Sequence, residues 1–179
     1  MAVQLEPTKT LLVHIHWMKY YDDRAGDKPF RGGASYGGSM ENYNFLDYYG
    51  EVFGGFWPGA YDGDPKQVGI ERLGAPGERS AKGITVVFFA PHPKDKHLRL
   101  VGWYEDATVY RRLQEHPDDG QSYNITAPYQ SAHLIPHHKR KRVFDFTGWW
   151  KQGAYRFGDK APSRILVAVQ AEIRKQSRR

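Results

Sequence analysis

Apolar residues in this chain come in short runs broken by turn-prone sequence, and the runs have two different periods. Thr10-Leu11-Leu12-Val13-His14-Ile15-His16-Trp17 is rich in β-branched and aromatic residues and predicts a strand. Polar, turn-prone sequence follows it, and the strand is expected to sit centrally. Gly83-Ile84-Thr85-Val86-Val87-Phe88-Phe89-Ala90, stopped by Pro91, and Leu98-Arg99-Leu100-Val101-Gly102-Trp103-Tyr104 after a polar turn predict a β-hairpin. Asp106 can cap a short helix from Ala107 to about Gln114, ended by the His116-Pro117-Asp118-Asp119-Gly120 turn. Short strands follow near Tyr123 to Thr126 and Ala132 to Ile135. Pro162 suits the first turn of a final helix, in which Ile165, Val169 and Ile173 repeat at i+4 as one apolar stripe. Strands and hairpins with helices packed around them make the expected class α+β.

Between Tyr20 and Gly63 the chain is rich in Gly, Tyr and Asp and has no helical period. Loops this long are functional or disordered. The many aromatics, ending in Phe53-Gly54-Gly55-Phe56-Trp57, can bury surface and favour function over disorder. No repeat of 20 to 50 residues appears, which argues against solenoids and propellers.

Composition narrows the classes. A chain of 179 residues suffices for one hydrophobic core, so residues 1–179 are read as a single domain. The absence of Cys removes disulfides, thiolate metal sites and cysteine nucleophiles, and fits a cytoplasmic protein. No leader-like segment opens the chain and no apolar run approaches the roughly 18 residues of a membrane helix, so a soluble protein with no membrane partner is expected. The net charge of +6 is concentrated in His137-His138-Lys139-Arg140-Lys141-Arg142 and Arg174-Lys175-Gln176-Ser177-Arg178-Arg179. Either block can lie on phosphates or be a solvated face. Aromatic residues make up 15% of this polar chain, and rings interleaved with basic residues suit the binding of unstacked bases.

Signatures of catalysis are missing. His14-x-His16 puts two imidazoles on one strand face, but two ligands do not make a metal site, and partly buried, hydrogen-bonded histidines are the favoured reading. His137-His138 belongs to the basic run. There is no phosphate loop, nucleophile elbow or zinc-protease motif, and Gly32-Gly33 and Gly37-Gly38 match no dinucleotide fingerprint. Asp22, Asp23, Glu41, Asp47 and Glu51 have no spacing that requires a metal. The expectation is therefore no catalytic residue, no metal and no cofactor.

A base-reading site has stated needs. Unstacking a base costs a few kcal/mol, which stacking between rings and pairing with the base edge must return. Trp17, Tyr36 and Trp57 adjoin a strand end or Gly-rich turn and are the cage candidates, with core packing as the alternative for each. Trp103, among apolar neighbours in a hairpin, reads as core. Glu41, Asn42 and Asn44 can accept from a cytosine amino group, Ser35 can add a hydroxyl contact, and Phe45 lines the same pocket. Local turn formation competes for Asn42 and Asn44. Arg31, Lys139, Arg140, Lys141 and Arg142 are the candidates for phosphate contacts.

Several segments in order resemble the N-terminal domain of modification-dependent HNH restriction endonucleases. They are Trp17-Met18-Lys19-Tyr20-Tyr21, Gly32-Gly33-Ala34-Ser35-Tyr36, Glu41-Asn42-Tyr43-Asn44-Phe45 and Val52-Phe53-Gly54-Gly55-Phe56, then Ile70 to Ala75, Ile84 to Lys94 and Val101 to Arg111. The likeness covers most of residues 10 to 160, and Gly102-Trp103-Tyr104 with Ala107-Thr108-Val109-Tyr110 is its most specific part. It implies an EVE/YTH-like member of the PUA superfamily: a curved β pseudobarrel with flanking helices that flips a modified base into an aromatic-lined pocket. The implied ligand is double-stranded DNA carrying 5-methylcytosine or 5-hydroxymethylcytosine. The implied HNH nuclease would lie C-terminal to this chain, whose expected role is non-catalytic. Two other functions stay open, a reader of modified single-stranded RNA such as N6-methyladenine and a small metal-dependent nuclease. Oligomeric state also stays open.

Overall fold

The structure is a computed structural model that describes residues 4–29, 40–61, 64–143, 145, 149–150 and 153–177. Its centre is β1, Thr10–His14, whose first four residues are buried. β1 runs parallel to β5, Ser80–Pro91, with His14 opposite Phe89, and antiparallel to β9, Tyr155–Phe157. β5 pairs with β6, Leu98–Glu115, which pairs in turn with β7, Ser122–Pro128, and at its other end with β8, Ala132–Leu134. β2, Glu51–Gly54, adds to β7. Among the described residues the seven-stranded order is β2-β7-β6-β5-β1-β9 with β8 beside β6, and the sheet is not closed. β3, Ala60–Tyr61, and β4, Asp64–Pro65, form a separate small hairpin.

Successive residues of the central strands serve opposite faces. Leu11, Val13, Val86 and Phe88 belong to one core, together with Phe45, Phe56 and Tyr104. Leu12, Val87 and Phe89 belong to the other, with Leu100, Trp103 and the helix α1, Ser163–Ser177. Ile165, Val169 and Ile173 are buried there, as the i+4 stripe predicts, while Val167 on the same helix is exposed. The class is α+β, and no helix among the described residues is long and apolar enough to cross a membrane. Trp103 is a core residue, as expected; its ring stacks on His133 at 4.8 Å and its N–H donates to Glu105.

Two elements differ from the sequence reading. The helix expected from Ala107 to Gln114 is the second half of β6. Asp106 is no cap: it takes a left-handed φ of 52° beside a register shift in which Gly83 has φ 67°. Such a bulge bends the strand, after which Ala107 and Val109 point into the core and Thr108 and Tyr110 are half-buried. The period-two alternation of β-branched and aromatic residues wins over the capping signal. The first strand, expected to reach Trp17, stops at His14: Ile15 N still donates to Phe89 O of β5, but His16 N leaves the ladder and donates to the Glu41 side chain.

Candidate nucleic-acid interface

The segment after β1 is held by buried charges. The Asp27 carboxylate accepts from the backbone N–H groups of Lys19, Tyr20 and Tyr21 at 2.7, 2.6 and 2.9 Å. From the opposite side Arg140, only 2% exposed, spends its guanidinium on carbonyls: Nε donates to Ile135 O at 2.8 Å, Nη2 to Lys19 O at 2.7 Å, and Nη1 to Met18 O. Tyr21, buried, donates from its hydroxyl to His16 O and accepts from Met18 N. Burial pushes the Tyr21 phenol well up and lowers Arg140. Arg140 is therefore a clamp on residues 18–19 and not a free phosphate contact, which corrects the sequence expectation. A basic run looks uniform in sequence, yet one member faces inward here because three carbonyls and the Asp27 charge await it.

His16 and Trp17 immediately precede the clamped segment. Trp17 is half-buried, with the Arg140 guanidinium 5.1 Å from its ring centre and the His92 ring edge-on at 4.9 Å. His16 turns toward Glu41, which the 3-10 turn Met40–Tyr43 delivers. Glu41 is 6% exposed, and its Oε2 accepts from His16 N at 2.7 Å and lies 2.8 Å from His16 Nδ1. This bond raises the pKa of His16 above its ordinary 6.5, against an opposing contribution from burial. His14 behaves oppositely: burial lowers its pKa, and the nearby His16 adds to that while Glu41 opposes it. The expectation of partly buried, hydrogen-bonded histidines describes His16 well. Among the described residues no three His, Asp or Glu side chains gather as metal ligands.

The other pocket candidates divide. Glu41 reaches the site, but its Oε2 serves His16, so the acceptor expected to meet a base directly acts through an imidazole. Asn44 is fully buried: its Oδ1 accepts from Gly55 N at 2.7 Å and its carbonyl from the Tyr104 hydroxyl, tying the 3-10 turn to the end of β2. Phe45 packs edge-on against Tyr21, Phe88 and Tyr104 in the core. Neither is placed to read a base edge, because close packing and long-range hydrogen bonds claim both side chains. Asn42 accepts from Asp23 N through its carbonyl. Its Oδ1 and the Asn44 Nδ2 are buried with no hydrogen-bond partner among the described residues. Trp57 is half-buried beyond β2. Arg31, Ser35 and Tyr36 lie outside the described residues.

Basic groups border Trp17 on two sides. His137 meets Tyr20 ring to ring at 6.4 Å, and Lys139 and Lys141 of the same run are exposed, while Arg142 pairs with Asp145 at 2.9 Å. The turn between β5 and β6 arrives with His92 and carries exposed Lys94 and Lys96. Arg99 links the two groups, donating to Asp95 at 2.7 Å and to Arg140 O at 3.4 Å. Sequence reasoning missed Asp27, His92 and the two lysines of this turn. Asp27 carried no signal, but the alternating charges of Lys94-Asp95-Lys96 at a hairpin tip could have flagged an exposed basic turn.

Comparison of the chain with family models, with curated proteins and with solved structures finds no match.

Proposed function

We propose that this chain is a non-catalytic reader of double-stranded DNA carrying 5-methylcytosine or 5-hydroxymethylcytosine, which takes the flipped base at the end of β1 and so directs a nuclease C-terminal to it. One observation carries the reading: a partly buried ring and a carboxylate-held imidazole, Trp17 and His16, immediately precede a segment clamped by Asp27 and Arg140, with the Arg140 guanidinium and the His92 ring beside Trp17. Preorganisation matters because a loop that had to order on binding would lose part of the few kcal/mol needed to unstack a base. Base stacking on an aromatic ring returns about 1 to 3 kcal/mol, and the lysines supply phosphate attraction without base identity.

The same reading takes the sheet as an EVE/YTH-like pseudobarrel of the PUA superfamily. What supports it is the register shift at Gly83 and Asp106, a bulge of the kind that bends a strand, between the part of β6 that pairs with β8 and the part that pairs with β7.

The test is fluorescence-anisotropy binding to one duplex bearing cytosine, 5-methylcytosine or 5-hydroxymethylcytosine at a single position, at fixed salt. The expected result is a preference of about tenfold or more for a modified duplex, or about 1.4 kcal/mol, lost in Trp17→Ala. Equal binding to all three would leave a phosphate-binding domain. Tighter binding to N6-methyladenine RNA of matched length would move the reading to RNA.

A further inference from the structure

We propose that His16 reads the polar edge of the bound base, and that Glu41, by holding the ring at Nδ1, makes the site accept an exocyclic amino group, as on cytosine or adenine, over a carbonyl. The inference deepens the base-reading function proposed above and depends on it.

An ionised carboxylate has lone pairs and no proton to give, so the 2.8 Å contact requires the proton to sit on His16 Nδ1. In the neutral ring Nε2 then carries a lone pair and can only accept. The Glu41 oxygen cannot reorient to allow the other tautomer, because the same Oε2 also takes the His16 backbone N–H at 2.7 Å. No side chain among the described residues takes up Nε2, and the His16 side chain is 36% exposed. An acceptor so placed pairs with the amino hydrogens of cytosine or adenine. Against the O4 carbonyl of thymine or uracil it brings two lone pairs together and leaves both unpaired. Among the described residues the titratable groups around the ring are Glu41 from the 3-10 turn, His14 from β1, and the Tyr21 phenol at the His16 carbonyl. Protonation in acid converts Nε2 into a donor, and the preference for an amino group then falls away.

The experiment compares two duplexes that differ only at the reading position, 5-methylcytosine against thymine, each opposite an abasic site so that neither base loses a pairing partner on flipping. The expected result is about tenfold tighter binding of 5-methylcytosine near pH 8.5, shrinking toward about twofold near pH 5.5 as the imidazole protonates. His16→Asn keeps a donor for Glu41 but has no atom at the Nε2 position, so it should lose this discrimination. Equal binding of 5-methylcytosine and thymine near pH 8.5, or unchanged discrimination in a folded His16→Asn, overturns the proposal while leaving the base-reading function standing. Failure to prefer either 5-methylcytosine or 5-hydroxymethylcytosine over cytosine in the unaltered protein overturns both. Nitrogen-15 NMR of the unaltered protein gives a readout independent of any variant: a neutral His16 with its proton on Nε2 overturns the proposal.

Discussion

His16 Nδ1 lies 2.8 Å from Glu41 Oε2, joining the end of the central strand to a turn 25 residues further along the chain. The pair sets the first expectation. Because the Glu41 bond raises the pKa of His16 in the folded protein, the stabilisation from this pair is fully present below the unfolded value near 6.5 and is lost as pH rises through the higher folded value. His14 has the reverse sign: with its folded pKa lowered by burial, it favours the folded state above 6.5 and opposes it as the medium turns acid. Proton NMR should show His16 titrating above His14. In Glu41→Gln the His16 midpoint should fall, and the melting temperature should lose the part of its acid-side advantage that the ion pair supplies.

Arg140 separates from its neighbours in the basic run. Arg140→Ala leaves the carbonyls of Met18, Lys19 and Ile135 without their donor and should cost about 3 kcal/mol in urea unfolding. Lys139→Ala and Lys141→Ala should leave the unfolding midpoint unchanged. Each should instead reduce the slope of log K against log salt by about 0.9 if it meets a phosphate, so the two kinds of residue part in two separate measurements.

Gly102 marks a close approach of β6 to β8. A Cβ there would fall 2.3 Å from His133 O and 2.8 Å from the Phe45 ring. Gly102→Ala should destabilise by about 1 to 3 kcal/mol through overpacking, read from the thermal midpoint. Tyr104→Phe, which only removes the hydroxyl bonded to Asn44 O, should cost about 1 kcal/mol.

On α1 the buried and exposed faces can be told apart directly. Ile173→Ala should cost about 2 to 5 kcal/mol by denaturant titration, since the side chain is fully buried in the second core. Val167→Glu, on the exposed face, should leave the midpoint where it was.

Residues near one another in sequence determined much of this protein. The central strand, the hairpin of β5 and β6, the short strands β7 and β8 and the face of α1 all follow from apolar periods and turn residues, since a strand or helix is decided by side chains a few positions apart. Where two local signals competed, at Asp106, sequence alone chose wrongly; the bulge that puts Asp106 in a left-handed conformation needs Gly83 on the neighbouring strand. The candidate site was legible only in part. Trp17 was singled out by its place at a strand end, and the basic run from His137 to Arg142 by its charge. What each residue does there was decided by the tertiary structure. Arg140 turns inward to carbonyls more than 100 positions away in sequence, Phe45 and Asn44 are drawn into the core beside Tyr104, and Glu41 meets an imidazole instead of solvent. Charge, aromaticity and hydrogen-bonding capacity belong to a residue wherever it stands, but burial and partnership arise only when distant segments pack. That is why the sequence could name the groups, and only the fold could assign their tasks.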